Sequence, residues 1–272
     1  MVIKERGLSS SMNAKIIGSG SETIILAHGF GTDQSIWEKI VPDLAQHFNV
    51  FLFDWLFSGA VNDQNLYDPS KYTSYEHFAD DLIDLLDEFN LKSVIFLGHS
   101  MSGMIGCIAS VKRPQLFKQL ILVGASPRFM NTDDYEGGFE ESQIKNILSD
   151  IETNYNDWAS NFSSLVVDAN DPASVDKVKD CFLKMRHEVA IPLAKIVFYS
   201  DEREILNKVE TPCTIIQSSS DIVVPNTVAF YMQKNIKAKS TVEIIDADGH
   251  FPQLTAQLQL LDALKVTLGV WS

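Results

Sequence analysis

The stretch Val94–Gly103, VIFLGHSMSG, decides how the rest of the chain reads. Four apolar residues, Val94 to Leu97, suit a strand buried on both faces, and Met101 to Val111 form a small-residue segment compatible with a helix. Gly98-His99-Ser100 then occupies a tight strand-to-helix turn, where small neighbours let the backbone take a strained conformation. Such a turn pushes the serine hydroxyl out of the sheet and aims a helix N-terminus at whatever binds beside it. A serine in that place either caps the helix or reacts, and the residues around it must decide.

Outward from this stretch, short apolar runs recur at Thr23–Ala27, Val50–Phe53, Leu120–Val123, Cys213–Gln217 and Val242–Ile245. Segments of helical period separate most of them, so strand and helix alternate, which predicts an α/β fold with a mostly parallel sheet flanked by helices on both faces. Lys15–Ile17 reads as an antiparallel edge strand, with Gly18, Ser19 and Gly20 as a hairpin turn. Between Ser126 and Asn207 no strand pattern is found, while Glu140–Ile151, Trp158–Val167, Ser174–Met185 and Val189–Tyr199 each fit a helix. The expected organisation is a core of residues 1–125 and 208–272, with a four-helix cap of residues 126–207 inserted over the strand ends. No linker or repeat breaks the pattern.

Composition narrows the partners. A net charge of −14 and a pI near 4.8 disfavour nucleic acid and anionic membrane, both of which repel an acidic surface. Part of that acidity lies in FADDLIDLLDEF, Phe78–Phe89, where apolar residues keep a helical period and the carboxylates read as a solvated face. Three cysteines, Cys107, Cys181 and Cys213, lack metal-ligand spacing and read as reduced, buried thiols. The first fifteen residues have no apolar signal-peptide core, nowhere do 18 apolar residues run together, and Val2 in place of glycine argues against myristoylation. A soluble intracellular protein is expected, without metal or cofactor, since the Gly-rich phosphate fingerprints are missing as well.

In an open α/β sheet, ligands bind at the carboxyl ends of the strands. The polar residues there are His28-Gly29-Phe30-Gly31, Asp54, Gly98-His99-Ser100, Ser218–Asp221 and Asp248-Gly249-His250. A serine alcohol needs a base to take its proton, and the base needs an acid to fix its tautomer. Ser100, Asp221 and His250 follow one another in the order used by α/β-hydrolases, each after a different strand. Asp246 and Asp248 compete as the acid, but both lie too close to His250 in sequence to reach its outer nitrogen easily. The oxyanion hole needs two backbone N–H groups, which fall at Phe30 and at Met101; losing one such donor typically costs about 2.7–4 kcal/mol. His28 and His99 read as supports of the turns, and His47, His77 and His187 as structural or solvent-facing. One departure is Ser102, which stands where G-x-S-x-G has its second glycine, the glycine coming one place later at Gly103.

At HGFGTDQSIW, LGHSMSGMIG, ASPRF, GGFE, QSSSDIVVP and GHFPQL the chain resembles the plant strigolactone and karrikin receptor family of α/β-hydrolases, over about Ala14–Leu268. DWLFSGA, Asp54–Ala60, is most similar to its Dwarf-14-like 2 group. The resemblance implies a seven-stranded core, a V-shaped four-helix cap and slow opening of a butenolide ring, with Ser100 attacking, His250 moving the proton and Asp221 orienting it. It also implies a monomer in cytoplasm and nucleus whose cap, once the ligand has reacted, recruits a leucine-rich-repeat F-box protein and a repressor. The ligand would be small and apolar, in a pocket lined by Phe30, Phe139, Trp158, Phe162, Val197 and Phe198. Trp55, Leu56 and Phe57 favour a specialised pocket or contact surface over a generalist esterase. A turnover esterase or lactonase, and a non-catalytic interaction scaffold, stand as alternatives to a slow butenolide sensor.

Overall fold

The structure is a computed structural model and describes residues 7–269; Val2 lies outside the described residues. Seven strands form one sheet in the order β1-β3-β2-β4-β5-β6-β7. They are β1 (Lys15–Ile17), β2 (Thr23–Ala27), β3 (Asn49–Leu52), β4 (Val94–His99), β5 (Phe117–Val123), β6 (Cys213–Ser220) and β7 (Ser240–Asp248). All neighbouring pairs are parallel except β1 with β3. β4 lies between β2 and β5, and every one of its residues is buried, which is why it reads as an unbroken apolar run.

The edge strand corrects the expected hairpin. β1 does not pair with β2, its neighbour in sequence, but with β3, in the register Lys15↔Leu52. Gly18 and Gly20 let the chain pass beneath the segment leading into β3: a Cβ would stand 2.3 Å from the Phe48 carbonyl oxygen at Gly18, and 2.1 Å from that of His47 at Gly20. The glycines serve a close backbone approach, not the hairpin turn of Gly18, Ser19 and Gly20.

Helices α1 (Leu8–Ser11), α2 (Val41–Leu44), α3 (Tyr75–Glu88), α4 (Met101–Lys112), α9 (Asn226–Asn235), α10 (Pro252–Thr255) and α11 (Gln257–Leu268) accompany the sheet. α3 buries Tyr75, Phe78, Leu82, Leu85 and Leu86 and turns Asp80, Asp84 and Asp87 to solvent. Asp81 departs from that solvated face: the Tyr72 hydroxyl donates to it at 2.6 Å, and burial pushes its carboxyl up to about 6. Among the described residues no helix is long and apolar enough to cross a membrane.

Between β5 and β6 the chain forms α5 (Glu141–Thr153), α6 (Tyr155–Val166), α7 (Pro172–Lys184) and α8 (His187–Tyr199). α5 begins in a capping box, with Glu140 as the cap and Gln143 returning the bond to the Glu140 N–H at 2.8 Å. These helices lie over the strand ends; the Glu202 N–H on the Pro127 carbonyl, 2.7 Å, joins the two ends of the inserted segment, and the His250 N–H on the Val166 carbonyl, 2.7 Å, ties α6 to the core. Lys39 adds a third tie, its ammonium reaching Asp171 at 3.2 Å and the Leu254 carbonyl at 2.5 Å.

Candidate active site

Ser100 stands between β4 and α4 with φ 55° and ψ −124°. For an L-residue that conformation costs on the order of 1–3 kcal/mol, so the surroundings must enforce it. The Ser100 N–H is held by the Val123 carbonyl at 2.8 Å, and the Gly103 N–H closes on the Ser100 carbonyl at 2.9 Å. Neighbouring glycines make the turn sterically possible: a Cβ on Gly98 would lie 2.7 Å from Ser102 backbone, and one on Gly103 2.5 Å from the Ala125 Cβ. Although Ser100 is the N-terminal flanking residue of α4, its side chain does not cap the helix. The hydroxyl is therefore left for other chemistry.

His250 and Asp221 meet beside it. Asp221 follows β6, and its Oδ2 lies 2.8 Å from His250 Nδ1. The carboxylate is anchored by the Val223 and Val224 N–H groups on Oδ1, at 2.8 and 3.3 Å, and by Gln217 Nε2 on Oδ2, at 3.0 Å. Since a carboxylate only accepts, Nδ1 of His250 carries the proton and Nε2 keeps its lone pair. Asp246 and Asp248 are exposed, and the contact to His250 is made by Asp221. Gly249, at φ +86°, lets the histidine loop approach the end of α6, where a Cβ would stand 2.8 Å from the Asp168 nitrogen.

The loop His28–Gly31 lies directly against the elbow, since a Cβ on Gly29 would be 3.1 Å from that of Ser100. Met101 opens α4, where the first-turn N–H groups have no intrahelical acceptor, and Phe30 stands in the facing loop. His28 and His99 are structural. Burial lowers the affinity of His28 for a proton; its Nδ1–H donates to the Gly29 carbonyl at 3.0 Å and its Nε2 accepts the Trp55 N–H at 3.0 Å. Burial and the neighbouring His250 hold His99 well below the ordinary imidazole range, and its Nε2–H donates to the His250 carbonyl at 2.7 Å. Both rings are neutral at neutral pH and brace backbone.

Above the serine, core and cap leave a narrow, partly open cavity of about 30 Å³. Ser100, His99 and His250 are the polar residues in its wall. Phe30, Phe162, Val197 and Phe198 stand in its wall. Phe139 and Trp158 do not: Phe139 packs behind Phe198 with ring centroids 5.5 Å apart, and Trp158 stacks on Phe162 at 5.6 Å. Their large rings fill the layer behind the wall. Phe129, Val166, Phe182, Val223 and Phe251 complete the lining and had no local signal, because each reaches the cavity only through tertiary packing. Trp55, Leu56 and Phe57 are also corrected: all three are buried and none lines the cavity, so they serve neither as pocket nor as contact surface. Among the described residues no group of three or more His, Cys, Asp or Glu side chains could hold a metal ion.

A parallel sheet with a strained serine turn, a histidine–aspartate pair on two later strand ends and a facing glycine loop defines the α/β-hydrolase class. In agreement, a family model described as the alpha/beta hydrolase fold matches residues 22–257. The chain is 39% identical to the strigolactone esterase D14 of Arabidopsis thaliana, over 98% of this chain and 99% of that protein. It is 43% identical to the karrikin insensitive 2 receptor IA of Petunia hybrida, over 92% and 91%. Among solved structures, a hydrolase of Oleispira antarctica, olei00960, superposes with a TM-score of 0.93 at 32% identity, over 97% of each chain. The chain belongs to the family of α/β-hydrolases that contains the strigolactone esterases and karrikin receptors.

Proposed function

We propose that the protein is a serine hydrolase that binds a small apolar butenolide of the strigolactone type and opens it slowly, with the bound or reacted state as its output. Ser100 Oγ attacks the lactone carbonyl as His250 Nε2 takes the hydroxyl proton, and the N–H groups of Phe30 and Met101 receive the developing oxyanion. Asp221 keeps the proton of His250 on Nδ1 and stabilises the imidazolium that forms. His250 then returns the proton to the leaving oxygen, and water completes the cycle. The observation that carries this reading is the strained Ser100 turn and the Asp221–His250 pair opening on one narrow apolar cavity.

The names of the relatives, an esterase for strigolactone and a receptor, support both halves of the reading. By the same resemblance the proposal extends to a cytoplasmic and nuclear monomer whose cap engages a leucine-rich-repeat F-box protein and a repressor. The test is stopped-flow release of a fluorophore from a butenolide enol-ether probe, by the wild type and by Ser100→Ala. A burst near one equivalent followed by slow turnover, lost in Ser100→Ala, is expected. Sustained fast release would identify a turnover esterase, and no release would overturn the butenolide reading.

A further inference from the structure

Trp55 and Ser102 are the two residues at which the sequence looks least like a plain hydrolase elbow, and they touch each other. The Trp55 indole N–H is shared between Ser102 Oγ, at 2.9 Å, and the His28 carbonyl, at 3.0 Å. Ser102 Oγ itself donates to the same His28 carbonyl at 2.5 Å, which closes a three-membered ring of hydrogen bonds. At its other end Trp55 gives its backbone N–H to His28 Nε2. One tryptophan thus holds His28 by carbonyl and by ring. All three residues are fully buried, so no water competes for these bonds. Edge contacts to Phe53, 4.8 Å, and Phe78, 5.8 Å, fix the indole plane from the far side.

The place of this ring matters more than its stability. His28 lies two residues before Phe30, and Ser102 lies one residue after Met101. The ring therefore joins the two backbone segments that carry the oxyanion donors. A glycine at position 102, as in the common elbow pattern, could not make the bond.

We propose that Trp55 and Ser102 are positioning residues that clamp the His28–Gly31 loop onto the elbow and set the spacing of the Phe30 and Met101 N–H groups; this rests on the serine-hydrolase reading above. Neither residue lines the cavity, so the clamp acts on the charge that develops in the transition state and not on ground-state binding.

The experiment compares wild type, Ser102→Ala and Trp55→Phe in hydrolysis of 4-nitrophenyl acetate and in inhibition by an aryl trifluoromethyl ketone. That ketone adds Ser100 Oγ at its carbonyl carbon, and the resulting alkoxide occupies the oxyanion hole. Removing a donor outright costs about 10²–10³ in kcat, and a displaced pair costs less, so about 10- to 50-fold is expected for Ser102→Ala. KM should stay within about twofold, the ketone should weaken by the same factor as kcat falls, and Trp55→Phe should move in the same direction. Unchanged kcat and ketone affinity in both variants, with only the melting temperature lowered, would make the ring a structural brace and overturn the clamp. If Ser102→Ala fails to fold, Trp55→Phe, which keeps an aromatic ring and loses only the N–H and part of the volume, decides alone. A wild type that neither hydrolyses the ester nor binds the ketone would overturn the hydrolase reading and the clamp with it, which an active wild type with unaffected variants would not.

Discussion

Changing Asp221 to asparagine tests the site with little change of shape, and the structure says how the new amide must sit. Val223 and Val224 present two N–H groups to Oδ1, at 2.8 and 3.3 Å, so the amide oxygen belongs on that side. The amide nitrogen then faces His250 Nδ1 and Gln217 Nε2, which both donate to Asp221 Oδ2 in the native protein. To avoid a donor facing a donor, His250 moves its proton to Nε2 and turns Nδ1 into an acceptor. Nε2 can then no longer take the Ser100 proton. The opposite rotamer would instead set the amide nitrogen against two backbone N–H groups, leaving buried donors unpaired at about 1–3 kcal/mol each. The wrong tautomer costs about 10⁴-fold in the chemical step, equivalent to about 5.5 kcal/mol of barrier. Single-turnover release from the butenolide probe measures this directly, with a thermal melt to show that Asp221→Asn is folded. A folded variant retaining more than about a tenth of wild-type rate would refute Asp221 as the residue that fixes the tautomer.

Three further outcomes follow from other parts of the structure. Gly249→Ala places a Cβ 2.8 Å from the Asp168 nitrogen at φ +86° and should cost about 1–3 kcal/mol, lowering the melting temperature by about 2–10 °C and the hydrolysis rate with it; an unchanged melt would refute the close approach. Phe162→Ala removes a cavity wall and a ring stacked 5.6 Å from Trp158, so stability should fall by about 3–5 kcal/mol and the preference for butyrate over acetate esters should rise; an unaltered preference would remove Phe162 from the pocket. Asp81, raised by burial to about 6 from an unfolded value near 3.9, holds its proton more tightly in the folded state, so its contribution is present below about pH 4 and is lost as pH rises to about 6. Asp81→Asn should therefore gain on the wild type by about 1–2 kcal/mol between about pH 4 and pH 7, and a difference that does not vary with pH in urea melts would refute this.

What the sequence disclosed, it disclosed through local and ordered signals. The strand-to-helix turn at Ser100 is visible because β4 is buried on both faces and its apolar run ends abruptly at Gly98. Asp221 and His250 were legible because each sits at a strand end and their chain order is meaningful. The cap helices announced themselves by periodicity. Features that depend on contacts between distant segments stayed hidden. β1 pairs with β3 because the sheet edge, not chain proximity, offers the hydrogen bonds. Phe129, Phe182 and Phe251 look like any buried aromatic until the cap is laid over the core. Trp55 suggested a binding surface because an aromatic run beside a strand end looks functional, yet its indole N–H finds partners in Ser102 and His28 under the loop. Asp81 follows the polar phase of α3, and its bond to Tyr72, supplied by the preceding loop, depends on a contact outside the helix.

The most direct measurement of Ser100 as the nucleophile is peptide mapping by tandem mass spectrometry after treatment with a fluorophosphonate, which phosphonylates an activated serine oxygen and releases fluoride. One phosphonyl group on Ser100, missing in Ser100→Ala and much slower to form in Asp221→Asn, is expected. An unmodified wild type, or label on a different residue, would contradict the site.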